Sequence, residues 1–295
     1  MSHPLHFSFT TNKTFLQHTG IAIQSLLNSL PANNPATIWL LVRPETEPAL
    51  DPLTSLFRQS SHQLKVCPLD PQRFSHLSPR GGFDLENYFR LLLPEITPPE
   101  VTRILHLDSD LLVIDNPSPL VEINLDNHFA AAVEDQRPPN LEQLHLNPHT
   151  PYFNTGVLLF NLPRFRSEEI GPKALRFALD NPDHVPAVDQ DALNAILAHK
   201  FLPLSPKWNQ MPFHLRKNPP PLLTANPVDI QAARQSPAIV HFAGGHKPWE
   251  YLTIHPHKQH YWKLLQNSPW KNYQPPKPTL RTRFRKLGRQ LRQLS

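Results

Sequence analysis

The chain has 295 residues, of which 39% are hydrophobic, and it carries a formal net charge of +5. This length and apolar content suffice for one large folded domain and exclude a wholly disordered chain. Cys67 is the only cysteine, which excludes internal disulfides and cysteine-based metal clusters and favours a reducing compartment. The chain has no signal-peptide pattern and no apolar run of about 18 residues, so we expect it not to span a membrane.

Short runs of apolar and β-branched residues alternate along the chain with segments of helical spacing. The runs predict buried strands at residues 5–10, 37–43, 63–67, 103–107, 129–133, 157–161 and 238–242. Helices are predicted at residues 18–30, 85–96, 168–180 and 189–199. Because strands alternate with helices, the pattern indicates an α/β sandwich around a mostly parallel sheet.

Two aspartates follow the fourth predicted strand, where RILHL runs into Asp108-Ser109-Asp110 and continues as LLVI. Side chains alternate along a strand, so Asp108 and Asp110 point to the same side and can share one cation. Such oxygen ligands suit magnesium or manganese, which in turn bind a diphosphate. An isolated pair of this kind is more often a polar turn with a capping aspartate. The apolar flanks on both sides favour the metal site here.

Four further segments follow in a characteristic order: FRLLLP at 89–94, PYFNTGVLLFNL at 151–162, VDQDALN at 188–194 and IVHFAGGHKPW at 239–249. With the aspartate pair, they resemble glycosyltransferase family 8, and especially its bacterial lipopolysaccharide galactosyltransferases and glucosyltransferases. The resemblance covers about residues 5–262. It implies the GT-A fold, a Rossmann-like mixed sheet flanked by helices, and a retaining transfer of glucose or galactose from UDP-glucose or UDP-galactose to a saccharide or lipopolysaccharide acceptor.

The resemblance also implies a metal site at Asp108, Asp110 and His241, and Asp108 further counts among the donor-binding residues. A mixed carboxylate and imidazole set favours manganese, with magnesium as the alternative. Lys247 corresponds to a family lysine that meets the diphosphate, and Gly244 lets the backbone approach it. Taken alone, His241 on an apolar strand is more often a core histidine. Its neighbours at 244–249 favour the metal role.

Arg90, Asn154, Asp189 and Gln190 match family positions that contact the donor hexose. Planar amides and carboxylates discriminate sugar hydroxyls strongly when they are buried. Taken by themselves, Asp189 also fits a helix N-cap, and Asn154 with Gly156 also fits an ordinary turn. We expect these local roles and the sugar contacts to coexist.

Asp135, just after the strand FAAAV, matches a family carboxylate near the sugar, with Glu134 as the alternative. The candidate catalytic residues are therefore Gln190, Asp189 and Asp135. Retention can proceed through a covalent glycosyl-enzyme or by front-face attack, in which the departing phosphate takes the proton of the acceptor. An amide such as that of Gln190 is a poor nucleophile, so we favour front-face attack.

One position departs from the family pattern. Family members open with a strand that ends in Asp-x-Asn-Tyr and binds uracil, whereas this chain reads FSFTTNKTF. Asn12 stands in place of the aspartate, and Phe15 stands in place of the tyrosine. The carbonyl of Asn12 can still pair with the uracil imide, so Asn12 stays a candidate base contact and UDP the expected nucleotide.

We divide the chain into a catalytic domain at 1–265, a proline-rich linker at 266–279 and a basic amphipathic tail at 280–295. Eight basic residues and no acid lie in 271–295, so the rest of the chain carries a net charge of −3. The tail pattern suits a helix on an anionic membrane, which predicts a cytoplasmic protein peripheral to the inner face of the membrane. The alternatives are a helix docked on the body and a nucleic-acid contact, and we expect no nucleic acid. The apolar stripe of the tail consists of Leu280, Phe284, Leu287, Leu291 and Leu294.

Two other functions compete with a glycosyltransferase. A catalytically silent protein could keep the fold and bind nucleotide sugars or membranes, but the intact Asp108, Asp110, His241 and Lys247 argue against it. A metal-dependent phosphohydrolase usually has a denser carboxylate cluster or a general base beside water. The sequence therefore favours the transferase.

Overall fold

The computed structural model describes residues 5–58, 60–77, 84–125, 127–136, 138, 141–275, 278–280, 282–283 and 286. In this part of the chain, the strands are β1 (Leu5–Thr11), β2 (Ala36–Val42), β3 (Gln63–Pro68), β4 (Arg103–Leu107), β5 (Leu111–Val113), β6 (Ala130–Glu134), β7 (Phe153–Asn161), β8 (Phe201–Pro203) and β9 (Ile239–His241). The α-helices are α1 (Leu16–Ser29), α2 (Asp51–Thr54), α3 (Leu93–Ile96), α4 (Ser118–Val121), α5 (Leu162–Ser167), α6 (Ile170–Asp180), α7 (Asp189–Leu197), α8 (Pro227–Gln235) and α9 (Lys258–Gln266). Short 3-10 helices are Pro44–Ala49, Ser55–Phe57, Pro71–Phe74, Leu85–Leu92, Leu141–Leu144, Pro182–His184, Pro206–Asn209 and Pro212–Leu215.

Seven strands form one mixed sheet in the order β3-β2-β1-β4-β7-β6-β8. Strands β3, β2, β1 and β4 are parallel, and β8 is parallel to β6, whereas β7 runs antiparallel to β4 and β6. The predicted mixed α/β sheet is therefore confirmed. Because β7 is reversed, its first residues lie beside the carboxyl end of β4, at the edge where the parallel strands end.

The strands of the structure differ from the predicted strands at two places. The strand predicted at 238–242 leaves the main sheet and forms a two-stranded antiparallel ribbon with β5. The seventh strand of the main sheet is instead β8, which has three residues and ends in Pro203, too short for a periodic pattern.

The helix predicted at 85–96 is a 3-10 helix up to Leu92 and an α-helix only from Leu93. Pro94 has no backbone N–H to donate to the carbonyl of Arg90, which instead accepts the N–H of Leu93 three residues away. The segment is thus helical as predicted, but its hydrogen-bond pattern changes just before the proline.

The five inner strands of the main sheet, β2, β1, β4, β7 and β6, bury both of their faces. In β2, for example, Trp39 and Leu41 join one apolar cluster, whereas Ile38, Leu40 and Val42 join the cluster on the opposite face. A third cluster packs the β5–β9 ribbon against α1 and α9. Among the described residues, no helix is both long and apolar enough to cross a membrane.

The segment after α9 also packs on the body. Gly20 in α1 makes room for the ring of Trp270, because a Cβ at Gly20 would lie 2.1 Å from that ring. The packed chain therefore continues past residue 265 into the segment predicted as a linker. In the tail, Lys286 lies over the ring of Tyr251 at 4.3 Å, and Leu280 is 73% exposed. The other predicted stripe residues, Phe284, Leu287, Leu291 and Leu294, lie outside the described residues.

Candidate active site

A cavity of about 1180 Å³ opens at the edge of the main sheet where β1 and β4 end and β7 begins. Ligands of open α/β sheets bind at such an edge. Of the predicted site residues, those that line the cavity are Arg90, Asp108, Asp110, Asp135, Asn154, Asp189, Gln190, His241, Gly244 and Lys247. The sequence prediction thus brought together residues that are more than 150 positions apart along the chain.

The β5–β9 ribbon joins the two halves of the predicted metal site. β5 begins just after Asp110, β9 ends at His241, and Leu111 pairs with His241 across the ribbon. The N–H of Phe242 donates to the carbonyl of Asp110 at 2.9 Å. His241 Nε2 then lies 3.2 Å from Asp110 Oδ1 and 3.8 Å from Asp108 Oδ2.

The aspartates face one way because Ser109 between them faces the other. Ser109 Oγ donates to the carbonyl of Thr10 at 2.7 Å and accepts from Thr19 Oγ1 at 2.8 Å. These bonds attach the turn to β1 and α1. Asp108 and Asp110 therefore project together into the cavity, as predicted, although Ser109 and Asp110 lie in a turn between β4 and β5 and not in a continuous strand.

The three side chains fit a divalent cation. Asp108, Asp110 and His241 each offer one ligand atom, and these atoms lie within 4.8 Å of one another. Gly156 leaves the space that they need, because a Cβ there would lie 2.3 Å from His241 Cε1 and 2.8 Å from Asp108 Oδ2. Two carboxylates and an imidazole form a donor set suited to Mn²⁺. Lys247 Nζ hydrogen-bonds to Asp110 Oδ2, and so balances part of this negative charge.

Neighbouring charges set the ionisation of these groups. Burial alone would raise the pKa of Asp108, but the Arg90 guanidinium and nearby histidines hold it well below its usual range. Burial would lower the pKa of His241, yet Asp110 and Asp108 raise it above its ordinary value. The carboxylates are thus kept ionised, as binding to a cation requires.

Arg90 links the metal end of the cavity to α7. Its side chain is buried, and its guanidinium lies 2.9 Å from Asp108 Oδ1 and 3.2 Å from Asp189 Oδ2. It also donates to the carbonyl of Thr155 at 2.7 Å. Burial raises the pKa of Asp189 to about 7, although Arg90 acts in the opposite direction. Arg90 therefore orients both carboxylates from inside the protein.

A strained turn places the first residues of α7 in the cavity. Val188, directly before the helix, has φ 46°, which is rare for a β-branched residue. Gln190 Oε1 accepts from Asn154 Nδ2 and from the N–H of Thr155, both at 3.1 Å. Asp135 Oδ2 accepts from Asn154 Nδ2 at 3.0 Å and from Gln190 Nε2 at 3.2 Å. The two amides and the carboxylate form one cluster on the cavity wall.

Asp135 and Glu134 have different surroundings. Asp135 lines the cavity, whereas both oxygens of Glu134 are occupied by the loop after Pro212–Leu215. They accept the N–H groups of Leu223 at 3.0 Å and Thr224 at 2.7 Å. Of the two alternatives, Asp135 is thus the one that a substrate in the cavity can meet.

Asn12 is not among the residues that line the cavity. Its Oδ1 accepts the N–H groups of Thr14 and Phe15, both at 3.0 Å, and so caps the turn before α1. Its Nδ2 donates to Asp84 Oδ2 at 3.1 Å. The carbonyl that we expected to pair with uracil therefore already accepts two backbone N–H groups.

The structure adds residues that the sequence patterns did not single out. Asn209 Oδ1 lies 2.9 Å from Nδ1 of the predicted ligand His241, and Asn209 is completely buried. The ring of His106 lies between two side chains: its Nδ1 is 3.0 Å from Ser8 Oγ, and its Nε2 is 3.5 Å from Asp108 Oδ1. Further residues that line the cavity are Gln136, Phe213, Leu215, Arg216, Lys217, His246, Ile254 and His255. Most of these lie in loops, where no spacing rule applies.

Known proteins are similar to this chain in sequence or in fold. The chain is 27% identical over 273 residues to general stress protein A of Bacillus subtilis, covering 90% of this chain and 94% of that protein. It is 26% identical to lipopolysaccharide 1,3-galactosyltransferase of Salmonella typhimurium, and the match covers 90% of this chain and 79% of that enzyme. The crystal structure of galactosyltransferase LgtC with donor and acceptor sugar analogues matches with a TM-score of 0.79 at 19% identity, covering 95% of this chain and 99% of LgtC. The GT-A fold is therefore confirmed.

The family assignment rests on the whole pattern of the chain and not on one motif. The model of glycosyl transferase family 8 matches residues 6–253, which contain each of the predicted site residues that line the cavity. The chain belongs to glycosyl transferase family 8 and is a glycosyltransferase.

Proposed function

We propose that the enzyme transfers glucose or galactose from a UDP-sugar to a saccharide acceptor, with retention of configuration and with Mn²⁺ as cofactor. The observation that carries this proposal is the position of Asp108, Asp110 and His241 in one cavity with the amide cluster of Asn154 and Gln190. The similarity to lipopolysaccharide 1,3-galactosyltransferase supports galactose as one candidate hexose, beside glucose, and makes a lipopolysaccharide the first acceptor to test.

The metal end of the cavity receives the diphosphate in this proposal. Asp108, Asp110 and His241 hold the cation, with Mg²⁺ as the second choice after Mn²⁺. When bound, the cation offsets the negative charge that UDP accumulates as it leaves. Lys247 lies in hydrogen-bond contact with Asp110 and can turn its Nζ to a phosphate oxygen. Gly244 has φ 82°, and no atom of the described part of the chain lies within 4 Å of its Cβ position, so its backbone is open to the same group.

The hexose lies against Arg90, Asn154, Asp189, Gln190 and Asp135 in this proposal. These side chains are buried or partly buried and polar, as recognition of sugar hydroxyls requires. Asn12 remains the proposed contact to uracil, now through its amide N–H and not through its carbonyl, which is already occupied.

Front-face attack is the proposed route to retention. Both lone-pair directions of Gln190 Oε1 face N–H donors, and the carboxylate of Asp189 faces Arg90, so neither group is free to act as a nucleophile. The departing phosphate then accepts the proton of the acceptor hydroxyl. Mass spectrometry that detects a sugar covalently bound to Asp189 or Gln190 would overturn this mechanism.

The test of the proposed function is a panel of nucleotide sugars incubated with the enzyme and Mn²⁺. Slow hydrolysis in the absence of acceptor identifies the donor by mass spectrometry, and we expect UDP-glucose or UDP-galactose. NMR of the product then gives the anomeric configuration, which we expect to be retained. A protein that binds these donors but never cleaves them would support the catalytically silent alternative.

Membrane attachment by residues 280–295 remains a second proposal, which would place the enzyme on the cytoplasmic face of the membrane. It rests on the basic composition of the tail and on its apolar stripe. Removal of 276–295 should abolish sedimentation with anionic liposomes and leave donor hydrolysis unchanged. Equal sedimentation of the two proteins would exclude the tail as the anchor.

A further inference from the structure

Hydrogen bonds connect the proposed metal ligand to a buried carboxylate on the far side of the cavity wall. We call the connected residues the amide chain, which consists, in order, of His241, Asn209, Asn154, Gln190, Tyr152 and Asp191. The hydrogen bonds between consecutive residues of this chain have lengths of 2.9 Å, 2.8 Å, 3.1 Å, 3.2 Å and 2.7 Å. Of these residues, Asn209, Tyr152 and Asp191 have no role in the proposed function so far.

Backbone N–H groups fix the direction of the amides in this chain. An N–H can only donate, so Gly156 N at 2.9 Å identifies its partner on Asn154 as the carbonyl oxygen. In the same way, Thr155 N at 3.1 Å identifies its partner on Gln190 as the carbonyl oxygen. The NH2 group of Asn154 then points to Gln190, and the NH2 group of Gln190 points away from it.

The far end of the chain has one consistent arrangement. Gln190 Nε2 donates to the hydroxyl of Tyr152, so this hydroxyl must place its own proton elsewhere. Asp191 Oδ1 at 2.7 Å accepts that proton, and Asp191 Oδ2 accepts the N–H of Ala187 at 2.7 Å. Asp191 and Tyr152 are both almost completely buried, so water does not replace these bonds.

The directions of the hydrogen bonds at the metal end of the amide chain are determined in the same way. The carbonyl of Asn154 accepts Asn209 Nδ2 at 2.8 Å, so the carbonyl of Asn209 must face His241. It can accept only a proton on Nδ1 of His241, at 2.9 Å. When the ring is neutral, its lone pair is then on Nε2, the ring atom that faces Asp110 at 3.2 Å. A metal ligand requires this tautomer.

We propose that the amide chain is a one-way series of hydrogen bonds that holds His241 as the Nδ1–H tautomer at one end and the Gln190 amide in one orientation at the other. Asn209 is the positioning residue for the metal end, and Tyr152 with Asp191 positions the sugar end. The inference rests on the proposed function, in which His241 binds the metal and Gln190 faces the hexose.

All hydrogen bonds of the amide chain run in one direction, which explains why this buried cavity wall has polar residues from His241 to Asp191. Every member donates toward Asp191, whose carboxylate only accepts, and such series reinforce one another. Replacing Asp191 with Asn would leave an NH2 group facing the Tyr152 hydroxyl, which already accepts from Gln190. The hydroxyl proton would then have no acceptor, because a reversed Gln190 would turn its NH2 group against the N–H of Thr155.

The first experiment measures Mn²⁺ affinity in the absence of nucleotide, by titration with electron paramagnetic resonance detection. Asn209→Leu should weaken Mn²⁺ binding about tenfold to a hundredfold, as loss of a residue that orients a ligand does. Asn209→Asp keeps an acceptor for His241 but sets a second oxygen against the carbonyl of Asn154, so it should weaken Mn²⁺ binding less than Asn209→Leu does. Equal affinity of the Leu variant and the unsubstituted protein would overturn the proposal, as would equal losses in both variants.

The second experiment needs no variant at position 209 and therefore does not depend on whether the Leu variant folds. Nitrogen-15 NMR of histidine-labelled protein with diamagnetic Mg²⁺ should show His241 protonated on Nδ1. A proton on Nε2 would contradict the proposal. His241→Gln assigns the signal, which should disappear in that variant.

The third experiment addresses the sugar end. Asp191→Asn should lower kcat of donor hydrolysis about tenfold or more, with Mn²⁺ affinity and the donor KM within about threefold of the unsubstituted enzyme. A normal kcat in Asp191→Asn would refute the role of Asp191. Because the first two experiments measure metal binding and protonation, they remain decisive even if no hexose transfer is found.

Discussion

Gly156 lies directly against His241, so that a methyl group on its α-carbon would stand 2.3 Å from the imidazole Cε1 atom. The same methyl group would stand 2.8 Å from a carboxylate oxygen of Asp108. The glycine of the NTG segment is thus required by the space around two proposed metal ligands, and not only by the shape of a turn.

The first prediction concerns this contact. Gly156→Ala should weaken Mn²⁺ binding about a hundredfold, because His241 and Asp108 must move apart to admit the methyl group. Isothermal titration calorimetry of Mn²⁺ measures the change. Gly245→Ala is the matched control, since no atom of the described residues lies within 4 Å of its Cβ position. If both alanine variants bind Mn²⁺ like the parent protein, the assignment of the site is wrong.

The second prediction concerns the buried guanidinium of Arg90. Arg90→Met leaves the carboxylates of Asp108 and Asp189 without their partner, so the free energy of unfolding should fall by about 3 kcal/mol. Arg73→Met, which breaks the exposed pair with Glu95, should cost about 1 kcal/mol or less. Urea denaturation at pH 7.5 compares the two variants. Similar losses in both would contradict a special role for the buried site.

The third prediction separates the diphosphate from the metal. Lys247→Met should weaken binding of the UDP-sugar about tenfold to a hundredfold, because a charge-assisted hydrogen bond to the diphosphate is lost. Binding of Mn²⁺ without nucleotide should stay equal or become tighter, because Lys247 no longer competes for Asp110. Lys263→Met, at an exposed position of α9, serves as control. An unchanged donor affinity in the Lys247 variant would refute this role.

The fourth prediction concerns pH and a histidine outside the site. His18 stacks on Trp249 at 3.5 Å and bonds to the hydroxyl of Tyr261, and burial lowers its pKa from 6.5 to about 4. Because the pKa of His18 is lower in the folded state than in the unfolded state, its contribution to the free energy of unfolding is fully present above pH 6.5 and is lost as the pH falls toward 4. Between pH 7.5 and pH 5, this contribution of His18 falls by about 2 kcal/mol.

Chemical denaturation at both pH values tests this effect. His18→Gln should lose less stability on acidification than the parent protein, by about 2 kcal/mol. His76→Gln, at an exposed position, should keep the full pH dependence of the parent protein. The same pH dependence in all three proteins would contradict the assignment.

The grouping of Asp108, Asp110 and His241 could be predicted from the sequence because these residues lie at the ends of regular strands. Asp108 follows β4, Asp110 precedes β5 and His241 ends β9, and ligands of open α/β sheets bind at the edge where such strand ends meet. The resemblance to the family supplied the one fact that spacing cannot give, namely that His241 meets the two aspartates. The β5–β9 ribbon makes that connection.

Asn209 and Asn12 mark the limit of this approach. Asn209 lies at the end of a short 3-10 helix, and its contact with His241 depends on packing between segments 32 residues apart. Asn12 was placed correctly after β1, but its carbonyl bonds two backbone N–H groups in a cap that the substitution pattern did not reveal. A side chain forms its hydrogen bonds with neighbours in space, so the donors and acceptors that it has left for a ligand can be identified only when the fold is known.

The most direct test of the central claim is Mn²⁺-dependent release of UDP from UDP-glucose and UDP-galactose by the parent enzyme and by Asp110→Ala. We predict turnover of at least one donor by the parent enzyme, its loss on removal of Mn²⁺, and a decrease of about a hundredfold or more in the variant. Asp115→Ala, at an exposed position just after β5, should retain full turnover. Full metal-dependent turnover by Asp110→Ala would contradict the account.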